Sequence, residues 1–190
     1  MTVKRFYWQQ QIVQQFSGPV LNIGSNEDPA RLKECFGYRV LNCDFEAFDS
    51  ELKRPNNVDI IFDAVRDPWP FPDNYANLVI MGDMLEHLLV PDIQEILSKA
   101  YRVGYHLAIT VPRDERILTE KQKNETTNPY MYHQTVVTEE LLKEQLEKTN
   151  WQILDWQTVD YDWVPEGYLV LCKRKTTPQS LGLTGGPSIA

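Results

Sequence analysis

Two carboxylates, Asp63 and Asp83, each stand at the end of a short apolar run, VDIIF and LVIMG. Runs of this length and β-branched content predict buried parallel strands. In an open α/β sheet, ligands bind beyond the carboxyl ends of the strands, so both carboxylates are expected beside a ligand. A third, Asp44, closes the run LNCD 20 residues after Gly24. That is close to the spacing of an acidic residue that accepts from the vicinal hydroxyls of a ribose. Phe45 beside it offers a face for a purine ring. Asp63 can accept from an adenine amino group, and the small Ala64 lets the ring approach. Gly24 and Ser25 lie in VLNIGSNEDP, the strand, turn and helix start of a nucleotide-binding βα unit, with Asn26 where a second glycine would stand.

The charge of that turn selects among ligands. Glu27 and Asp28 occupy the helix start where a pyrophosphate would dock, and two carboxylates there repel a dinucleotide. They favour a nucleoside ligand that lacks phosphate and carries positive charge. Further along, Glu86-His87 follows Asp83. His87 has the titration range of a general base, as does His133, and Asp83 is a third candidate; the simpler reading makes His87 a packed residue that organises the site. The stretch from Arg113 to Val137 is long for a plain connection. It carries Arg113, Arg116, Lys121, Lys123, Tyr130, Met131, Tyr132 and His133, the most basic and aromatic segment of an acidic chain. It is expected either to cover a substrate or to be an irregular surface loop.

These groups must be held by alternating strands and helices, which predicts an α/β fold with a mostly parallel sheet. The expected elements are a helix over Val3 to Phe16, with Phe6, Val13 and Phe16 on one side, and a strand over Val20 to Ile23. A helix follows, capped by Asp28 with Pro29 at its first position, Gly37 past its end, and Leu32, Cys35 and Phe36 as its stripe. Strands follow over Arg39 to Cys43, Val58 to Phe62 and Leu78 to Met81. Pro91 opens a helix whose Ile93, Ile96, Leu97, Ala100 and Val103 keep the helical period. His106 to Val111 is a fifth strand, Thr138 caps a helix over Glu139 to Lys148, and Gln152 to Val159 and Tyr168 to Lys173 are two last strands about a turn with Pro165 and Gly167. The Gly/Pro/Ser-rich residues 176–190 are expected to form a mobile tail.

With 190 residues, 42% hydrophobic and 24% charged, the chain is long enough for one domain with a sizeable core, expected over 1–175. A net charge of −8 disfavours binding to a phosphate backbone, so no nucleic-acid partner is expected. The three cysteines, Cys35, Cys43 and Cys172, form no CxxC pair, so neither a disulfide framework nor a metal site is expected. No apolar run approaches the length of a membrane span, and MTVKRFYWQQQIVQQF is too polar for a signal peptide. A cytoplasmic protein is expected, of undetermined oligomeric state.

The stretch from Val58 to Leu88, with its Asp-Ala pair, WPFPD loop and apolar strand running into LEHL, resembles the middle motifs of the class I S-adenosylmethionine-dependent methyltransferases. The ending HQTVVTEELLKEQLEKTNWQIL is also similar to that family, with Asn150-Trp151 in place of its usual Gly-Phe. The resemblance runs from about Val20 to Lys173. It implies a single-domain Rossmann-like fold with helices on both faces of a seven-stranded sheet. The predicted strands would lie in the order 3-2-1-4-5-7-6, mostly parallel with the last strand antiparallel. It implies S-adenosylmethionine as methyl donor, with Gly24, Ser25, Asp44, Phe45, Asp63, Ala64 and Asp83 as its expected contacts. The acceptor is undetermined; because the chain has little beyond the core domain to form a recognition module, a small molecule or a terminal group on a sugar or peptide is expected over duplex nucleic acid. Asn22 departs from the family, which carries an acid in its first strand. With the thinned glycine turn it leaves open a methyltransferase-like binding or assembly module without turnover. An NAD-dependent oxidoreductase is the lesser alternative.

Overall fold

The computed structural model describes residues 3–25, 30–45, 48–49, 54–55, 58–113, 133–161 and 164–175. The chain opens with α1 (Val3–Gln15), which Gly18 ends at φ +83°. Then come β1 (Val20–Ile23), the short α2 (Leu32–Phe36) and β2 (Val40–Asp44). A two-stranded antiparallel pair, β3 (Phe48–Asp49) with β4 (Arg54–Pro55), stands apart from the main sheet. β5 (Ile60–Ile61), β6 (Ala76–Gly82), α3 (Val90–Val103) and β7 (Gly104–Pro112) follow, and α4 (Glu139–Lys148), β8 (Trp151–Tyr161) and β9 (Val164–Arg174) complete the order.

Seven strands form one sheet in the order β5-β2-β1-β6-β7-β9-β8. This is the order expected from the resemblance. The pairs from β5 to β7 are parallel, and β9 runs antiparallel to both β7 and β8. Strand alternation sorts the core into two layers. On one face, Val20, Val40, Leu78, Ile80, Ala108, Leu169 and Leu171 pack under α1 and α2, with Trp8, Ile12 and Val13 from α1. On the other, Leu21, Ile23, Val79, Met81, Leu107, Ile109 and Val111 pack under α3 and α4. Ile93, Ile96, Leu97, Ala100 and Val103 are all buried, as their period requires. Full burial of each such aliphatic side chain contributes roughly 1.5–3 kcal/mol.

Five local expectations change. The run VDIIF forms only the two-residue β5, with Ile61 57% exposed, because β5 is the sheet edge and pairs with β2 alone. α2 starts at Leu32 after Arg31, which sits in the left-handed region at φ 52° without a side-chain cap. Asp28 and Pro29, expected at the helix start, lie outside the described residues. Cys35 is exposed and does not belong to the stripe, of which Leu32 is buried and Phe36 partly so. Pro165 and Gly167 lie inside β9, where Gly167 pairs with both Pro112 and Val159. A register irregularity between Val159 and Tyr161 accompanies them, the kind of place where a strand tolerates proline. On α1, Trp8 and Ile12 carry the packing with Val13, while Phe6 and Phe16 are only partly buried. The expected tail, 176–190, lies outside the described residues.

The connection DPWPFPDN is a core plug. Trp69 and Phe71 are buried against Phe62, with ring centroids 5.9 and 6.1 Å away. Trp69 Nε1 donates to Ala64 O at 2.8 Å. From α3, Arg102 donates to the carbonyls of Phe71 and Trp69 at 2.8 and 3.1 Å, and Lys99 donates to Asp67 O at 3.0 Å. The loop is thereby locked to the helix that backs β6.

Candidate functional site

The strand order reverses at β1, which leads to β2 on one side and has β6 on the other; a crevice opens at such a switch point. The residues after the strand ends therefore stand in a row along one sheet edge: Asp63 and Ala64 after β5, Asp44 and Phe45 at β2, Gly24 and Ser25 after β1, and Asp83 after β6. Three strand spacings separate the first from the last, roughly 14 Å.

Gly24 turns the chain at φ +66°, a conformation that suits glycine. Its N–H and that of Ser25 donate to Cys43 O at 2.9 and 3.2 Å, tying the turn to β2. A Cβ on Gly24 would lie 2.9 Å from Met84 Sδ, so the methionine closes over the turn. Ser25 is 3% exposed, and its hydroxyl has no hydrogen-bond partner among the described residues. Behind the turn, Asn22 and Asn42 are buried side by side, Asn22 Nδ2 donating to Asn42 Oδ1 at 3.0 Å. The departure at Asn22 is thus a satisfied amide pair. Asn26, Glu27 and Asp28, on which the argument against a dinucleotide rests, lie outside the described residues.

Asp44 is half-buried, and its Oδ1 accepts from the Phe45 N–H at 2.8 Å. Its charge and that of Asp59 act on Cys43, whose thiol is pushed up to about 12, first by burial and then by these two acids. Asp63 caps the turn that follows it. Its Oδ1 accepts from the N–H groups of Val65 and Arg66 at 2.9 and 3.0 Å, and Arg66 Nε lies 3.8 Å from its Oδ2. Asp63 therefore shapes the loop holding Ala64. Ala64 is partly buried against the core.

Asp83 has φ +51°, and its N–H donates to Thr110 O at 2.8 Å. Its carboxylate pairs with Arg5 of α1 and accepts from Thr110 Oγ1 at 3.3 Å. Gln9, one turn after Arg5, donates to the same Thr110 hydroxyl at 3.1 Å. Gly82 is required beneath this network, since a Cβ there would meet Gln9 Nε2 at 2.6 Å. α1 therefore reaches the methionine end of the expected cofactor row. The sequence reading did not find Arg5, Gln9, Thr110 or Met84. Their signal is weak, because Arg5 and Gln9 follow the helical period as ordinary polar positions.

After Asp83 a 3-10 turn spans Leu85–His87. His87 is partly buried and meets His133 edge-on, with ring centroids 4.8 Å apart. The two histidines named as base candidates thus come together, while Asp83 is held in the Arg5 network. The segment Arg113–Val137 is anchored at both ends. Arg113 pairs with Glu166, and its N–H donates to Glu166 O at 2.9 Å. Gln134 and Thr135 bond along residues 86–88, and Val137 is buried. Arg116, Lys121, Lys123, Tyr130, Met131 and Tyr132 lie outside the described residues. Among the described residues, no helix is long and apolar enough to cross a membrane.

No family model matches the sequence, and no curated protein does. Solved structures do match in shape. An S-adenosylmethionine-dependent methyltransferase from Archaeoglobus fulgidus superposes with a TM-score of 0.59 at 18% identity, over 89% of this chain and 94% of that one. A type 11 methyltransferase from Sulfolobus solfataricus gives 0.60 at 14% identity, over 94% and 96%. A magnesium protoporphyrin IX methyltransferase from Synechocystis, solved with bound SAH, gives 0.60 at 13% identity, over 90% and 80%. With the strand order, these likenesses define the fold: it is that of the class I S-adenosylmethionine-dependent methyltransferases.

Proposed function

We propose that the protein binds S-adenosylmethionine along the edge β5-β2-β1-β6 and transfers its methyl group to a small-molecule acceptor. The observation that carries this reading is the row of side chains at four neighbouring strand ends, in a fold shared with S-adenosylmethionine-dependent enzymes. In this reading Ala64 and Phe45 contact the adenine, with Asp63 beside it. Asp44 accepts from the ribose hydroxyls. Gly24 and Ser25 face the centre of the ligand, and the buried Ser25 hydroxyl is available to it. Asp83, with Arg5 fixed against it, faces the methionine arm. Transfer is an in-line displacement at the sulfonium methyl, and the protein contributes mainly by holding donor and acceptor in line.

Titration calorimetry with S-adenosylmethionine, S-adenosylhomocysteine and NAD tests the donor. Saturable binding of the first two and not of NAD is expected. Asp44→Ala should weaken binding of S-adenosylhomocysteine by roughly 1.5–3 kcal/mol, the scale of hydrogen bonds to a charged group. Unchanged affinity in the folded variant would remove Asp44 from the ribose. Absence of binding by all three ligands would favour an assembly module without turnover.

A further inference from the structure

The chain has three histidines, and two of them converge. His106 stands near the start of β7, where its Nδ1 lies 3.1 Å from Asn77 O and its ring packs on Phe16. His87 and His133, separated by 46 positions, meet edge-on beside Glu86. One ligand atom from each of Glu86, His87 and His133 lies within 4.8 Å of the others. Two imidazoles and a carboxylate form a donor set suited to divalent transition metals. Bonds of about 2.1 Å place such donors roughly 3.4 Å apart around a tetrahedral ion. Binding would draw the donors, which now lie within 4.8 Å of one another, closer together.

The backbone beneath the cluster is fixed. Gln134 N and Thr135 N donate to Glu86 O at 2.7 and 3.1 Å. Gln134 Nε2 donates to His87 O at 2.6 Å, and Thr135 Oγ1 donates to Leu88 O at 2.6 Å. Four hydrogen bonds thus hold the stretch that carries His133 against the turn that carries Glu86 and His87. Glu86 is also buried, its side chain 2% exposed, with His87 Nε2 at 3.8 Å from Oε1, an ion-pair distance rather than a hydrogen bond. A carboxylate at that depth is stabilised by nearby positive charge, which a divalent ion supplies. Both histidines are only partly buried, so an ion held by them keeps an open position.

We propose that Glu86, His87 and His133 form a binding site for a divalent transition metal such as Zn2+, with at least one coordination position open. Glu86 lies three residues beyond Asp83, which the proposed donor binding sets beside the methionine arm, so the metal site would adjoin the transferable methyl group; only that location rests on the proposed donor binding. An oxygen ligand in the open position would be polarised by the ion.

The test is metal binding by the whole, tag-free chain in the absence of any nucleoside ligand, so it stands whether or not S-adenosylmethionine binds. Zn2+ is titrated by calorimetry, and Co2+ is followed by its visible absorption. One equivalent is expected, with Mg2+ failing to compete at equal concentration. His87→Ala and His133→Ala should each weaken Zn2+ affinity at least tenfold, while His106→Gln leaves it unchanged. Urea midpoints measured in chelator verify that each variant is folded; where His87→Ala fails to fold, His133→Gln carries the test. Absence of saturable Zn2+ binding would overturn the proposal. So would wild-type affinity in the folded His133 variant, or an equal loss in His106→Gln.

Discussion

Substituting Gly82 by alanine tests the placement of α1 over the end of β6. The added methyl would lie 2.6 Å from Gln9 Nε2, about 1 Å inside ordinary contact, and 3.4 Å from Thr110 Oγ1. Gln9 is buried and must swing away, losing its 3.1 Å bond to Thr110. The lost hydrogen bond costs about 1 kcal/mol. Overpacking adds about 1–2 kcal/mol. Gly82→Ala should therefore destabilise by about 2–3 kcal/mol, read as a lower urea midpoint with unchanged slope and a Tm lower by roughly 4–12 °C for a chain of this size. The decisive measurement is the double-mutant cycle. Gln9→Ala alone loses the bond to Thr110, but it also empties the space the new methyl needs. The double variant should then be no less stable than Gln9→Ala, a coupling of about 2–3 kcal/mol, the whole cost of the single glycine substitution. Single effects that add to within ~0.5 kcal/mol would mean that the two residues do not meet. A neutral Gly82→Ala would refute the packing of α1 at this edge altogether.

Thr138→Ala removes the side-chain oxygen that accepts from Leu141 N at 3.2 Å at the start of α4, and should cost about 1 kcal/mol in urea denaturation. Native protein should react with a thiol reagent at the exposed Cys35, with Cys43 and Cys172 reacting only after denaturation. Burial pushes both of these thiols up to about 12, with acidic neighbours adding to the effect at Cys43. Between pH 9 and 12 the unfolded chain therefore releases thiol protons that the native state retains. Stability should fall as pH rises through that window, by roughly 1 kcal/mol per unit and thiol. Urea midpoints at pH 8 and 10 should converge in Cys43→Ala relative to wild type, and identical slopes would refute the burial.

β6 and β7 were readable from their apolar runs because both faces of a central parallel strand are buried. VDIIF carries the same signal yet lies at an edge, since a run of β-branched residues reports strand preference and not the number of neighbours. Asp28-Pro29 has the chemistry of a helix start, but the observed α2 begins at Leu32. Pro165 and Gly167 look like a turn locally, and pairing with the remote Pro112 and Val159 draws Gly167 into β9. The placement of Gly24 and Asp44 at neighbouring strand ends was legible because a single βαβ unit fixes their spacing. The Arg5–Asp83 pair and the meeting of His133 with His87 depend on how distant segments dock, for which sequence spacing has no rule.

The two anchors of the Arg113–Val137 segment have a consequence for how the protein can vary. The chain leaves the sheet at Arg113, held by Glu166, and returns at Gln134 and Thr135, held along residues 86–88. Both fastenings are made by residues outside 114–132. Doubling the length between two such points adds only ~0.6 kcal/mol of closure entropy. Lengthening the chain between the two anchors is thus expected to cost little stability. The strand ends proposed to bind the ligand stand outside that span, held by the sheet itself.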